Sequence, residues 1–537
     1  MPGALDPVPF AERTIPSVLT RLAAAWADKT ALSFTETGVR FSYAELEREV
    51  ARGADAVARA GGGAGAVTAV LLENCPELFL AWWGSAWAGG LTCMLNPELS
   101  GDQLRACLEL AAPPVVVTGV RQLATLAPVL AGLAEPPSVL LVGADAGTAA
   151  RHGASSWEHA LATARPRPAV PLAPGDPFTL MFTSGSTGLP KCVLHSHHYA
   201  LVFADTAVVS QQLTAADRSY ECRPCFHVAA AYSVVLATLL TGGDVCVGPR
   251  FSASTFWPTL AQTGATRVAL IGAMANILYR RPAGEWDRRH SVRYLRAVPL
   301  PAEPRAFEER FGVHLLLPGW GSTEVWPLAP DFDERAGDQP DNYVGRAVPH
   351  MRIRVADPAG LPVEPDGRQV GELLVRPDQP LSMMTRYYRD AEATVAAWRD
   401  LWYHTGDLAT IDADGRVFWQ GRTADVVRRR GENVSCALIE RTALKLAGIA
   451  ECAAYGVASS LGEEDVKLDV VLAPGAGGLR PAGVAEHLER ELPAFMVPRY
   501  IEIREQLPKT ATHRVIKSRL RGQPISAGTL DRETSRP

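Results

Sequence analysis

Residues 183–191 read Thr-Ser-Gly-Ser-Thr-Gly-Leu-Pro-Lys, and their types and spacing suit anion binding. Gly185 and Gly188 free the backbone to curl, so that several N–H groups can face one ligand. The hydroxyls of Thr183, Ser184, Ser186 and Thr187 add donors, and Lys191 adds a mobile positive charge. A polyphosphate is the ligand such a loop fits, although an ordinary hairpin turn draws on the same residue types. A Gly-x-x-x-x-Gly-Lys-Ser/Thr loop is a poorer match, because its lysine opens a helix. Here Pro190-Lys191 lead into a strand-like run, residues 192–195.

Two further clusters carry chemistry. In Gly319-Trp320-Gly321-Ser322-Thr323-Glu324, an aromatic between glycines can lie flat against a purine ring, and Glu324 offers a hard oxygen ligand suited to Mg²⁺. In residues 403–408, Tyr-His-Thr-Gly-Asp-Leu, a carboxylate after a tight turn can accept both ribose hydroxyls, with Arg422 as a planar donor downstream. Taken singly, each also reads as a plain loop or a turn-capping aspartate. Cys222 and Cys225 form a CxxC, but no second pair or histidine follows at zinc spacing, so buried thiols are expected there.

The elements that must position these residues alternate strand-like and helix-like runs, an α/β signature. Residues 66–72, 114–119 and 138–143 read as buried strands, and residues 76–89 as a Trp-rich helix. Residues 146–174, rich in Ala, Pro and Arg, read as a connecting segment. Buried elements are expected at residues 231–240, 267–271 and 313–317. From residue 345 the character changes to antiparallel strands with Pro/Gly/Asp turns, ending in a compact tail of helices and strands. The chain of 537 residues is too long for one core. The expected fold is α/β: a large N-terminal multi-sheet α/β domain, residues 1–421, and a small mobile C-terminal α+β lid domain, residues 422–537, with a hinge near residues 421–425. A net charge of −5 gives no reason to expect nucleic acid or an anionic membrane as partner. With no secretory signal, no membrane-length apolar run and nine scattered cysteines, a cytoplasmic protein is expected.

The three clusters, in this order, resemble the motifs of the adenylate-forming superfamily of acyl-CoA synthetases, luciferases and peptide-synthetase adenylation domains. The string RRRGENVS (residues 428–435) and the tail PKTATHRVIK (residues 508–517) most resemble the crotonobetaine/carnitine-CoA ligase branch. Membership implies that a carboxylate attacks the α-phosphorus of ATP·Mg²⁺ to give an acyl-adenylate, and that a thiol such as CoA then takes the acyl group. By this resemblance residues 183–191 hold the β/γ-phosphates, Trp320, Gly321 and Ser322 the adenine side, and Thr323 and Glu324 the phosphate and Mg²⁺. Asp407 and Arg422 fall to the ribose, and His227, Gly319 and the segment around Pro299 to the acyl pocket. Arg428, Arg429 and Arg430 could meet CoA phosphates, or form a solvated face.

Several positions depart from the pattern. Trp320 stands where Tyr is usual, and Cys192 where glycine follows Pro-Lys. Ala297-Val298-Pro299-Leu300-Pro301 replaces a glycine-rich pocket segment, which would narrow the acyl pocket. Ala424 holds the usual hinge position, with Asp425 beside it. The C-terminal lysine that serves adenylation is replaced by Arg514, preceded by His513, with Lys517 three residues on as the other candidate cation. The expected activity is therefore ATP-dependent activation of a small carboxylic acid with transfer to CoA. The alternatives are an enzyme loading a carrier protein, a diazotase-type enzyme activating nitrite for an arylamine, or a fold relative that binds nucleotide without turnover.

Overall fold

The computed structural model describes residues 3–183, 191–301, 303–340, 342–429, 432–459, 464–509, 515–526 and 528–533. By their contacts they form two units. The first comprises Met1–Gln339, Gly345–Arg352 and Pro377–Arg399; the second comprises Pro340–Val344, Ile353–Arg376 and Asp400–Pro537.

Two sheets build the first unit. One has eight strands in the order Arg386–Tyr387, Lys191–Ser196, Pro177–Thr183, Leu91–Met94, Val67–Leu71, Val115–Gly119, Ser138–Val142 and Ser155–Ser156. Its strands run parallel from Pro177–Thr183 to Ser155–Ser156, whereas Lys191–Ser196 and Arg386–Tyr387 are antiparallel additions at the other edge. The central strands are covered on both faces, which is why they are continuous apolar runs; every residue of Val67–Leu71 is buried. The second sheet has seven strands, in the order His314–Leu316, Tyr294–Val298, Arg267–Ile271, Arg218–Glu221, Asp244–Val247, Thr30–Phe34 and Arg40–Ser42.

Helices fill the space around the sheets. Pro76–Trp87 opens with proline at its first position and buries every residue but Glu77, so both faces are apolar. His197–Gln211 is also buried along most of its length, its N-terminus capped by Ser196. The expected element at residues 231–240 is a π-helical stretch, Ala231–Leu236, between the short helices Val228–Ala230 and Ala237–Leu240. Residues 146–174 are not the plain connection their composition suggested. They hold the helix Ala146–Arg151 capped by Asp145, the strand Ser155–Ser156 and the helix Trp157–Thr163, whose Trp157 is almost fully buried. Helices of six and seven residues are too short to display a hydrophobic period, so composition dominated the reading.

The second unit is built mostly on antiparallel strands, with one parallel pair, Glu464–Leu472 and Tyr500–Arg504. Trp402–Ile411 pairs with Gly371–Pro377 and with Val417–Arg422. Beyond the turn Thr423–Asp425, the hairpin Val426–Arg429 and Glu432–Ser435 leads into the helix Cys436–Leu444. A four-stranded sheet, Ile449–Ala458, Glu464–Leu472, Tyr500–Arg504 and Leu530–Asp531, packs with the helix Pro481–Glu491 around Val434, Ile439, Leu468 and Leu488.

Candidate active site

The phosphate-loop sequence closes a hairpin. Thr183 and Lys191 are register partners at the ends of its two strands, and the Thr183 hydroxyl donates to the Lys191 carbonyl at 3.4 Å. Ser184, Gly185, Ser186, Thr187 and Gly188 lie outside the described residues. Cys192, next to Lys191, turns into the core with Cys93, Leu180 and Leu194, so its side chain is spent on packing; burial holds its thiol far above the usual range.

Tyr387 joins this hairpin to the second cluster. Its strand pairs antiparallel with Lys191–Ser196, which sets its ring 4.8 Å from the Lys191 ammonium. Its hydroxyl donates to Glu324 Oε1 at 3.0 Å. Glu324 is 8% exposed, and its main-chain carbonyl accepts the Met384 N–H at 2.8 Å. One tyrosine thus carries a cation against its face and a carboxylate at its hydroxyl.

The Thr323 carbonyl is held as firmly. It accepts from His195 Nε2 at 2.9 Å and from the Tyr199 hydroxyl at 3.1 Å. A carbonyl can only accept, so the His195 proton sits on Nε2 and Nδ1 accepts the Tyr232 hydroxyl at 3.0 Å. Burial lowers the His195 pKa to about 3, which keeps the ring neutral in this tautomer. Behind it Tyr232 stacks on Trp82, ring centroids 6.0 Å apart.

The glycines of the cluster answer to space. A Cβ on Gly319 would stand 2.4 Å from the Leu328 carbonyl oxygen, and one on Gly321 3.0 Å from the Trp326 ring. Trp320 is half-buried and bridges to Leu328, its N–H donating to that carbonyl at 3.2 Å. The Ser322 hydroxyl accepts the Glu324 N–H at 3.2 Å. His227 is half-buried against Phe226 at 4.4 Å and precedes the helix Val228–Ala230. Pro299 follows the strand Tyr294–Val298 through a cis peptide bond and is exposed; the space over Gly272 is taken by its ring and carbonyl. Ala297 is fully buried, whereas Val298 is exposed.

In the second unit Asp407 and Arg422 are register partners on adjacent strands. Asp407 is 4% exposed; its Oδ1 accepts the Trp419 indole N–H at 2.7 Å and lies 3.8 Å from Arg422 Nε. Gly406 takes a positive φ of 71° and donates to Glu372 Oε1, which fixes the turn ahead of Asp407. Lys517 is committed elsewhere: its ammonium lies 2.9 Å from Glu440 Oε1 and 3.4 Å from Asp425 Oδ2. Burial works against its charge, yet the Glu440 and Asp425 carboxylates raise its pKa on balance. Arg514 and His513 lie outside the described residues.

Arg429 corrects one expectation. Rather than facing CoA it is buried, pairing with Asp465 at 3.1 Å and donating to the carbonyls of Phe495 and Val497. Arg430 and the side chain of Arg428 lie outside the described residues. Cys222 and Cys225 are buried free thiols, and no group of three His, Cys, Asp or Glu among the described residues is arranged for a metal. No helix among the described residues is long and apolar enough to cross a membrane.

Sequence reasoning missed His195, Tyr199, Tyr232 and Tyr387. The available signal was interruption: His195 breaks a strand that is buried on both faces directly after the loop, where a polar side chain needs a partner.

The AMP-binding enzyme family model matches residues 19–388, and the model of the AMP-binding enzyme C-terminal domain matches residues 438–514. The chain is 30% identical to the crotonobetaine/carnitine–CoA ligase of Salmonella choleraesuis (strain SC-B67), over 93% of this chain and 97% of that one. Its fold is similar to that of ATP-bound MatB from Rhodopseudomonas palustris, with a TM-score of 0.81 at 25% identity over 94% and 98% of the two chains. It is similar too to the anthranilate CoA ligase AuaEII in complex with anthranoyl-AMP, with a TM-score of 0.85 at 22% identity over 96% and 98%. The chain belongs to the AMP-binding enzyme family: it is an ATP-dependent, AMP-forming ligase of the adenylate-forming acyl-CoA ligase class.

Proposed function

We propose that this ligase activates a small, compact carboxylic acid as its acyl-adenylate and passes the acyl group to CoA. The observation that carries the reading is the joining of Lys191 and Glu324 through Tyr387, which sets a cation and a carboxylate on one rigid ring. In this reading residues 183–191 cradle the β/γ-phosphates, Trp320 packs on adenine, and Asp407 with Arg422 reads the ribose. Glu324 suits Mg²⁺, which keeps several waters and takes only one or two protein carboxylates beside the substrate phosphates. The ion would neutralise phosphate charge, while Tyr387 orients the carboxylate that holds it. His227 and Gly319 belong to the acyl pocket, and the glycine-free segment at Pro299 limits its size. The domain boundary and hinge fall at residues 421–425. Nothing observed favours nitrite or a carrier protein over a carboxylate and CoA.

Arg514 is the cation for adenylation, because Lys517 is held by Glu440 and Asp425. The test is pyrophosphate release from ATP across a panel of carboxylates and nitrite, with and without CoA or an arylamine. CoA-dependent AMP formation from a carboxylate is expected; turnover only with nitrite and an arylamine would overturn the reading. Arg514→Ala should slow adenylation by roughly 10²–10³-fold, the usual cost of one transition-state donor, with Arg514→Lys recovering part of it.

A further inference from the structure

The strand Val417–Arg422 carries a β-bulge beside Asp407. Asp407 pairs with Arg422 and Leu408 with Gly421, but Ala409 then pairs with Trp419, so Gln420 is an extra residue with no register partner. Side chains alternate faces along a strand, and an unbroken register would set Trp419 on the face away from Asp407. The one-residue step reverses that phase. It brings Trp419 onto the Asp407 face, as the diagonal neighbour across the pair. Gly421 takes up the bend with a φ of 116°, a conformation that favours glycine. The Gln420 carbonyl accepts the Ser435 hydroxyl at 2.9 Å, which holds the bulge in place.

The consequence is the hydrogen bond from the Trp419 indole N–H to Asp407 Oδ1 at 2.7 Å. An indole donates and never accepts, so this bond fixes the buried carboxylate with a single polarity. Arg422 Nε, at 3.8 Å and on a half-exposed side chain, lies beyond hydrogen-bond range and acts on Asp407 by charge. Trp419 is itself anchored. Its main-chain N–H donates to the Asn342 carbonyl at 2.8 Å, and its carbonyl accepts Arg441 Nη1 at 3.3 Å. The Asp407 main chain has a separate support, its N–H donating to the Thr405 hydroxyl at 3.0 Å.

We infer that Trp419 is a positioning residue for the nucleotide: its indole N–H, brought onto the Asp407 face by the bulge at Gln420, aims the Asp407 carboxylate at the ribose hydroxyls. The inference rests on the reading of Asp407 as the ribose carboxylate of the proposed ligase.

The test is ATP–pyrophosphate exchange, run on the best carboxylate of the panel with ATP, 2′-deoxy-ATP and 3′-deoxy-ATP. It compares the wild type with Trp419→Phe and with a protein carrying 3-benzothienylalanine at position 419, which keeps the double ring and has sulfur in place of the N–H. Loss of one hydrogen bond to a charged group should raise the KM for ATP by about tenfold in both variants. The KM for the acid should hold, which separates lost aim at the ribose from general loosening. The advantage of ATP over its deoxy forms should shrink by a similar factor. In an Asp407→Ala background Trp419→Phe should add nothing, because the group it acts through is gone. An unchanged preference for ATP over its deoxy forms, an equal rise in both KM values, or a full effect on top of Asp407→Ala would overturn the inference and leave the ligase reading intact. An unchanged KM for ATP in Asp407→Ala would remove the ribose assignment, and the inference with it. No exchange with any carboxylate would overturn the ligase reading itself.

Discussion

Tyr387 is the residue on which the first-unit site turns. Its position on an edge strand fixes the ring, and the ring in turn fixes Lys191 and Glu324. Removing only its hydroxyl leaves a buried carboxylate short of a donor. Tyr387→Phe should therefore cut adenylation by roughly tenfold or more, because hydrogen bonds to charged groups contribute about 1.5–3 kcal/mol. Pyrophosphate exchange under saturating ATP reports this, and an unchanged rate would remove Tyr387 from the site. His195 works one layer behind, by holding the Thr323 carbonyl. Replacing it with Phe leaves the Thr323 carbonyl with the Tyr199 hydroxyl as donor and takes away the acceptor of the Tyr232 hydroxyl, so a loss of about 1–3 kcal/mol in stability is expected. Denaturant melts of His195→Phe check it, and a rate loss with unchanged stability would count against a purely positioning role.

At the scale of elements, the strand-to-turn passage Val417–Arg422 to Thr423–Asp425 is tied to the far end of the chain. Lys517, first residue of the helix Lys517–Arg521, spans Asp425 and Glu440, and Arg521 adds a contact to Asp425 at 3.5 Å. Ion pairs in such partly dry settings add little over an apolar core, but breaking one side strands the other. Lys517→Met leaves two carboxylates facing each other and should destabilise the second unit by about 3 kcal/mol. Adding Glu440→Gln should return part of that loss, which a double-mutant cycle in urea measures; independent, additive effects would refute the coupling. The sign of the pH effect follows from the raised Lys517 pKa. Its contribution is whole below the unfolded lysine value and fades as pH rises through the folded one.

Over the whole molecule, the response to acid is set by histidines that the first unit buries. His195, His197 and His198 are inaccessible, and burial lowers their pKa values to about 3, about 3 and about 4. Below the unfolded value near 6.5 the unfolded chain takes up protons that the folded chain refuses, so stability is full above that pH and lost as pH falls. At pH 5 each group costs on the order of 2 kcal/mol, together a large share of an ordinary domain's stability. Urea midpoints followed by tryptophan fluorescence should drop steeply between pH 7 and pH 5; a flat profile would show that these rings are wetter than their burial indicates. The sequence by itself determined the family and the two-part α/β plan, and it marked the clusters at residues 183–191, 319–324 and 403–408 as the candidates for chemistry. It could do so because a tight anion-binding turn needs glycines, hydroxyls and charges close together in the chain, where they can be read directly. Only the tertiary structure decided that Tyr387 bridges Lys191 and Glu324, that His195 pins Thr323, and that Lys517 and Arg429 are spent on ion pairs. Those contacts join residues up to about 200 positions apart. Strand order and helix packing create them, and no local pattern of residue types encodes which distant strand will arrive as a neighbour.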